Sequence, residues 1–221
     1  MKASIFTLGC RVNQYESDSA AEMLEQEGFE TVPFGTECDI TVINTCTVTA
    51  ESDRKSRQHI RRAKNISPAG HVIVTGCYAQ RDPEGAFSAG ADAVLGNGEK
   101  SKIAETAKRL ICGEKNICLV SDIQAAPYDN VRVSKPTKAR AYIKIEDGCE
   151  NRCAYCIIPK ARGKVRSRPF EDCLFEICEI SKKGYTEFIL TGIETASYGR
   201  DLKDRGLLDL LLAAGELEGV K

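Results

Sequence analysis

No apolar run in the 221-residue chain approaches the ~20 residues needed to cross a bilayer. The opening Met1-Lys-Ala-Ser-Ile-Phe-Thr-Leu8 lacks a signal peptide's long apolar region and small-residue cleavage site. A cytoplasmic protein with no membrane partner is therefore expected. Net charge is only −1, so overall charge says nothing about a polyanionic partner. Histidine is scarce, with two residues, and neither lies near the densest cysteine cluster. That cluster also lacks the second close Cys-x2–4-Cys pair of a structural zinc site, which argues against zinc.

What the chain has is cysteine, eleven in all. In a reducing compartment that number argues for metal ligation over disulfides. Cys149-Glu-Asn-Arg-Cys153-Ala-Tyr-Cys156 packs three of them at spacings of four and three. Thiolates select zinc, copper(I) or iron–sulfur clusters. Three thiolates on a four-iron cluster leave one iron open, a vacancy that electron transfer does not need but chemistry at the metal does.

Alternation of strands and helices predicts an α/β unit with a mainly parallel sheet in the first half. Strands are expected at Ser4–Leu8, Asp39–Ile43, His71–Thr75 and Ala93–Leu95. Helices are expected from about Asn13, from Ala50 to Lys64, and up to about Ile111. Cys10, Cys46 and Cys77 each follow the carboxyl end of a different strand, the edge where open α/β sheets bind ligands. They are expected to converge in space although they are 36 and 31 residues apart. Residues 113–136 read as a linker, with Val131–Val133 as a possible short strand. Further on, a strand at Ala141–Ile145 leads into the cysteine loop, a helix runs over Glu171–Lys183, a strand over Glu187–Leu190, and a last helix over Leu207–Ala214.

Charge is distributed unevenly. Residues 130–168 carry eleven Lys or Arg against Glu146, Asp147 and Glu150. The tract Lys160-Ala-Arg-Gly-Lys-Val-Arg-Ser-Arg168 suits phosphate neutralisation, and equally the carboxylate of a cofactor or the shaping of a loop. A second basic run spans Arg54 to Lys64. Such asymmetry is expected of a polyanion-facing surface.

Cys149-x-x-x-Cys153-x-Tyr155-Cys156 resembles the signature of radical S-adenosylmethionine (SAM) enzymes. Thr7-Leu-Gly-Cys-Arg-Val-Asn-Gln-Tyr-Glu-Ser17, Asn44-Thr-Cys-Thr-Val48 and Thr75-Gly-Cys-Tyr-Ala-Gln80 resemble the three motifs of the methylthiotransferase amino-terminal domain. The tract after Cys156 is similar to that family's Pro-x-x-Arg-Gly-x-x-Arg-Ser-Arg. The resemblance implies a flavodoxin-like domain over 1–112, the linker at 113–136, and the first portion of a radical-SAM, partial TIM-type barrel over 137–221. Such a barrel normally has six strand–helix repeats and the family adds a carboxyl-terminal RNA-binding domain, so the chain is expected to be a fragment.

The resemblance also implies two 4Fe-4S clusters. Cys149, Cys153 and Cys156 would hold the one that cleaves SAM reductively to a 5′-deoxyadenosyl radical. Cys10, Cys46 and Cys77 would hold the one that presents sulfur, with Asn13, Asn44 and Thr45 beside them. Tyr155, Gly192 and Glu194 are the candidates for SAM contact. The implied activity replaces C–H by C–S–CH3, with a reducing donor such as flavodoxin or ferredoxin. Within the family the opening motif and Thr47–Arg57 are most like the branch that modifies N6-threonylcarbamoyladenosine beside the tRNA anticodon. Isopentenyladenosine tRNA and a ribosomal-protein aspartate are the alternatives inside the family, and a non-catalytic metal-binding RNA module is the alternative outside it.

Overall fold

The computed structural model describes residues 1–203 and 205–220. The first half is built on a six-stranded, wholly parallel sheet in the order β2-β1-β3-β4-β5-β6. β1 (Lys2–Thr7) and α1 (Arg11–Gln26) are followed by β2 (Glu30–Val32) on one side of β1. β3 (Ile40–Thr45) then pairs with the other side of β1, so the winding reverses between β1 and β3. All six residues of β3 are buried, as a central parallel strand covered on both faces requires. α2 (Ala50–Ile66) starts where the Thr49 hydroxyl caps Ser52 N–H at 3.1 Å, with Glu51 and Asp53 in the first turn.

β4 (His71–Gly76) runs directly into α3 (Cys77–Arg81), followed by α4 (Pro83–Ser88) and β5 (Ala93–Leu95). α5 (Ile103–Ile111) and β6 (Ile117–Leu119) complete the sheet. One face of the sheet is covered by Ala20 and Leu24 of α1 with Ile103, Ala107 and Leu110 of α5. The other is covered by Ile60 and Ala63 of α2 with Tyr78, Ala79 and Ala86.

The second half has a separate apolar core. β7 (Ala141–Lys144) pairs in parallel with a strand further on, and β8 (Glu146–Asp147) forms a short antiparallel pair. After the cysteine loop come α6 (Ile158–Arg162), β9 (Arg166–Ser167, the partner of β8), α7 (Phe170–Ser181), β10 (Phe188–Thr191, the partner of β7) and α8 (Leu207–Gly215). Ala141 and Ile143 of β7 pack with Ile177 and Ile180 of α7 and Leu210 of α8. No helix among the described residues is long and apolar enough to cross a membrane.

Three local expectations need correction. β2 and β6 are three-residue edge strands that the periodicity did not signal, and β6 falls inside the stretch 113–136 expected to be a linker. Val131–Val133 is not a strand. Its two valines are buried against Tyr15, and Val133 N–H donates to Glu176 Oε1 at 3.0 Å, so a side chain takes the place of a ladder partner. The tract Lys160–Arg168 does not present five charges to solvent. Arg162 and Arg168 are wholly buried, Arg166 is 9% exposed, and only Lys160 and Lys164 are exposed.

Candidate metal and cofactor site

Cys10, Cys46 and Cys77 stand at the carboxyl ends of β1, β3 and β4, three consecutive neighbours in the sheet. All three line one cavity of about 440 Å³. Leu8, Asn13 and Val48 line it from the same edge, Ser52 and Lys55 from α2. Ile158 of α6 and Ile193, just past β10, contribute the wall from the second half.

The strand ends are locked by side chains beside the cysteines. Asn13 Nδ2 donates to the carbonyls of Leu8 at 2.8 Å and Thr45 at 2.9 Å. Asn44 Nδ2 donates to the Asn13 carbonyl at 2.9 Å and Ser17 Oγ at 3.1 Å. Thr45 Oγ1 donates to the Thr75 carbonyl at 2.5 Å. The three loops are thus tied into one rim, the kind of support that orients ligands. Gly76 makes the turn into Cys77 at φ +95°, and a Cβ there would lie 2.4 Å from the Thr45 carbonyl oxygen.

The second trio sits on an irregular loop. Cys149 N–H donates to the Gly163 carbonyl at 3.0 Å, and Cys156 N–H to the Cys153 carbonyl at 3.0 Å. Cys153 is exposed, whereas Cys149 and Cys156 are half-buried. Gly148 precedes the loop at φ +88°, and a Cβ on it would come within 1.8 Å of the Lys164 carbonyl oxygen. Only glycine fits this close approach.

Tyr155 is 92% exposed. Gly192 and Glu194 lie past the end of β10, beside the cysteine loop: Asn151 Nδ2 donates to Glu194 Oε2 at 3.0 Å, and Glu194 N–H to Glu146 Oε2 at 2.8 Å. Burial pushes the Glu146 carboxyl up to about 7, and its Oε1 has no partner among the described residues.

Beneath the cavity lies a feature the sequence did not signal. Glu16, Lys100, Lys144, Asp147 and Arg162 form a buried ionic network. Lys144 Nζ bridges Glu16 Oε1 and Asp147 Oδ2, at 2.7 Å each, while Lys100 Nζ is 3.3 Å from Glu16 Oε2. Burial opposes ionisation of Asp147, but Arg162 and Lys144 hold its carboxyl down at about 2. Glu16 is likewise held well below the usual carboxylate range by Arg162, Lys100 and Lys144 against its burial. Burial pushes the Cys77 thiol up, against the pull of Arg162.

Among the described residues, no group of three His, Cys, Asp or Glu side chains is arranged to hold a single metal ion. A four-iron cluster spreads its thiolates further apart than one ion does. Three thiols around one cavity, with a net positive network beneath, fit an anionic thiolate-bound cluster better than a lone cation.

Residues 2–96 match the family described as "Uncharacterized protein family UPF0004". Threonylcarbamoyladenosine tRNA methylthiotransferase MtaB of Bacillus subtilis is 41% identical over 219 residues, 97% of this chain and 49% of that protein. tRNA-2-methylthio-N(6)-dimethylallyladenosine synthase of Thermotoga petrophila is 35% identical over 224 residues, 100% of this chain and 50% of that protein. The chain therefore spans about half the length of the curated relatives it matches. Among solved structures, the radical SAM methyltransferase TsrM of Kitasatospora setae shares the fold with a TM-score of 0.58 at 15% identity, over 87% of this chain and 47% of that one.

Proposed function

The chain is a relative of the radical-SAM methylthiotransferases, most like the MtaB type, and from that premise we propose that it contributes to a tRNA methylthiotransferase. The substrate position is C2 of N6-threonylcarbamoyladenosine next to the anticodon, the nucleoside named for the MtaB relatives. The amino-terminal domain is flavodoxin-like and runs past residue 112 to include β6, a reading supported by the strand order β2-β1-β3-β4-β5, and 137–221 belong to the first portion of a radical-SAM barrel.

The observation that carries this reading is the cavity shared by Cys10, Cys46 and Cys77, walled on its far side by Ile158 and Ile193 from the half that bears Cys149, Cys153 and Cys156. Each trio would hold one 4Fe-4S cluster through its three thiolates. Together with SAM, the two clusters supply radical generation and sulfur donation. The chain's own residues do the rest. Asn13, Asn44 and Thr45 fix the rim geometry. Ile158 and Ile193 give one side of the cavity an apolar wall. Glu194 and Gly192, beside the cysteine loop, would contact SAM, with Tyr155 on that loop.

RNA contact is assigned to α2 rather than to the buried arginine tract. Arg54, Arg57, Arg61 and Arg62 line an open groove with Gln58 and Asn65, and Lys55 of the same helix reaches the cysteine cavity. Phosphate neutralisation along this helix points the strand toward the cavity.

The test is mass spectrometry of tRNA nucleosides from cells deleted for the gene. The expected result is loss of 2-methylthio-N6-threonylcarbamoyladenosine with accumulation of N6-threonylcarbamoyladenosine. An intact methylthio level sinks the substrate assignment. Anaerobic reconstitution should give about eight irons per chain, falling by about half when either cysteine trio is changed to Ala.

A further inference from the structure

Arg162 ends α6 in the second half, yet its wholly buried guanidinium reaches the rim of the first. Nε–H donates to Cys77 Sγ at 3.2 Å. Nη1 donates to Glu16 Oε1 at 2.6 Å and to Asp147 Oδ2 at 3.1 Å. Nη2 donates to Asn13 Oδ1 at 2.7 Å and to Glu16 Oε2 at 3.2 Å. Asn13 Oδ1 in turn lies 3.6 Å from Cys10 Sγ. Asp147 is two residues before Cys149 in the chain. One planar cation thus touches a thiol of the first trio and the carboxylate at the root of the second.

The charges around it do not cancel. Three buried cations, Lys100, Lys144 and Arg162, face two buried carboxylates, Glu16 and Asp147. Arg166 adds a further positive charge 3.8 Å from Asp147. The surplus lies beside Cys77, itself buried. An uncompensated buried charge is costly, so the network is built to face an anion.

We infer that Arg162 is a positioning residue that acts through Cys77 and sets the reduction potential of the centre held by Cys10, Cys46 and Cys77. This rests on the two-cluster reading above. A fixed N–H donor and a positive charge on a cluster thiolate stabilise the reduced, more negative state and raise its potential. Glu16, Asp147 and Asn13 hold the guanidinium fork in that orientation, which a lysine cannot reproduce.

The test uses the chain with Cys149, Cys153 and Cys156 changed to Ala, reconstituted anaerobically with iron and sulfide so that one centre remains. Its potential is read by a redox titration monitored by electron paramagnetic resonance. Arg162→Lys should lower the potential, because the Nε–H···S bond is lost and the charge withdraws. Glu16→Gln keeps the shape but removes one compensating negative charge, so the potential should rise. Opposite shifts in the two variants support the inference. Unchanged potentials, or shifts of the same sign, overturn it, since a purely structural Arg162 changes only the melting temperature. If Arg162→Lys does not fold, the sign of the Glu16→Gln shift decides. If the parent chain binds no iron at all, the cluster reading itself fails, and this inference with it.

Discussion

The Tyr15 hydroxyl lies 2.9 Å from both carboxylate oxygens of Glu176, a residue 161 positions away on α7. It donates there and accepts from Arg168 Nη1 at 3.2 Å. α1 carries this contact and, one residue on, Glu16 of the ionic network beneath the cavity. Both buried polar knots join the two halves, and both rest on the same turn of one helix. Tyr15→Phe removes the donor while Glu176 keeps Arg168 and the Val133 N–H. A loss of about 2 kcal/mol is expected in urea unfolding, as for a hydrogen bond to a buried charged group.

Glu16→Ala should cost more. It strips the carboxylate shared by Lys100, Lys144 and Arg162 and leaves buried cations unpaired. Removing one partner of a buried pair costs about 3–5 kcal/mol. The exposed Glu51, paired with Arg54, provides the comparison: Glu51→Ala should move the unfolding midpoint far less than Glu16→Ala does.

Gly148→Ala tests the geometry of the second cysteine loop. The added Cβ meets the Lys164 carbonyl in a left-handed conformation that alanine resists. A destabilisation of at least about 2 kcal/mol is expected. Iron loading on Cys149, Cys153 and Cys156 should fall with it, while loading on the other trio persists.

Stability should depend on pH with two opposing arms. Glu146, with its carboxyl raised to about 7, holds a proton in the folded chain that the unfolded chain has released. Its contribution is present below its ordinary value of 4.5 and is lost as pH rises through 7. Asp147, held down at about 2, contributes stability present above 3.8 and lost as pH falls toward 2. For these two groups both contributions are fully present only between 3.8 and 4.5, so the cluster-free chain should lose stability steadily as pH rises from there towards 7. Glu146→Gln should flatten the alkaline arm alone, as thermal melts from pH 5 to 8 would reveal.

Arg61 and Arg62 on α2 offer a measurement on the RNA side. Changing both to Gln should weaken tRNA binding. It should also lower the slope of log affinity against log salt by about one for each phosphate that is no longer neutralised. An unchanged slope would move the RNA to another face.

The sheet was legible where strands are central: β3 and β4 are buried almost throughout and appear as β-branched and apolar runs, and β1, half-buried at its carboxyl end, still carries Ile5 and Phe6. The cysteine positions were legible because each follows such a run. β2 and β6 are edges only three residues long, too short for a periodic pattern to show, even though β6 is apolar throughout. The arginines after Cys156 misled for a different reason. Their partners Glu16 and Asp147 for Arg162, and Tyr15 and Glu176 for Arg168, are set by tertiary docking, which local charge counting does not encode. The link from Arg162 to Cys77 was invisible for the same reason, with 85 residues between them.

The inward turn of that arginine tract has a practical side. A cation-exchange resin would sense Lys160 and Lys164 but not Arg162 or Arg168, so retention should be far weaker than a tally of basic letters suggests. Arginine-directed reagents such as phenylglyoxal should spare those two side chains in the native chain and label them only once the halves have come apart.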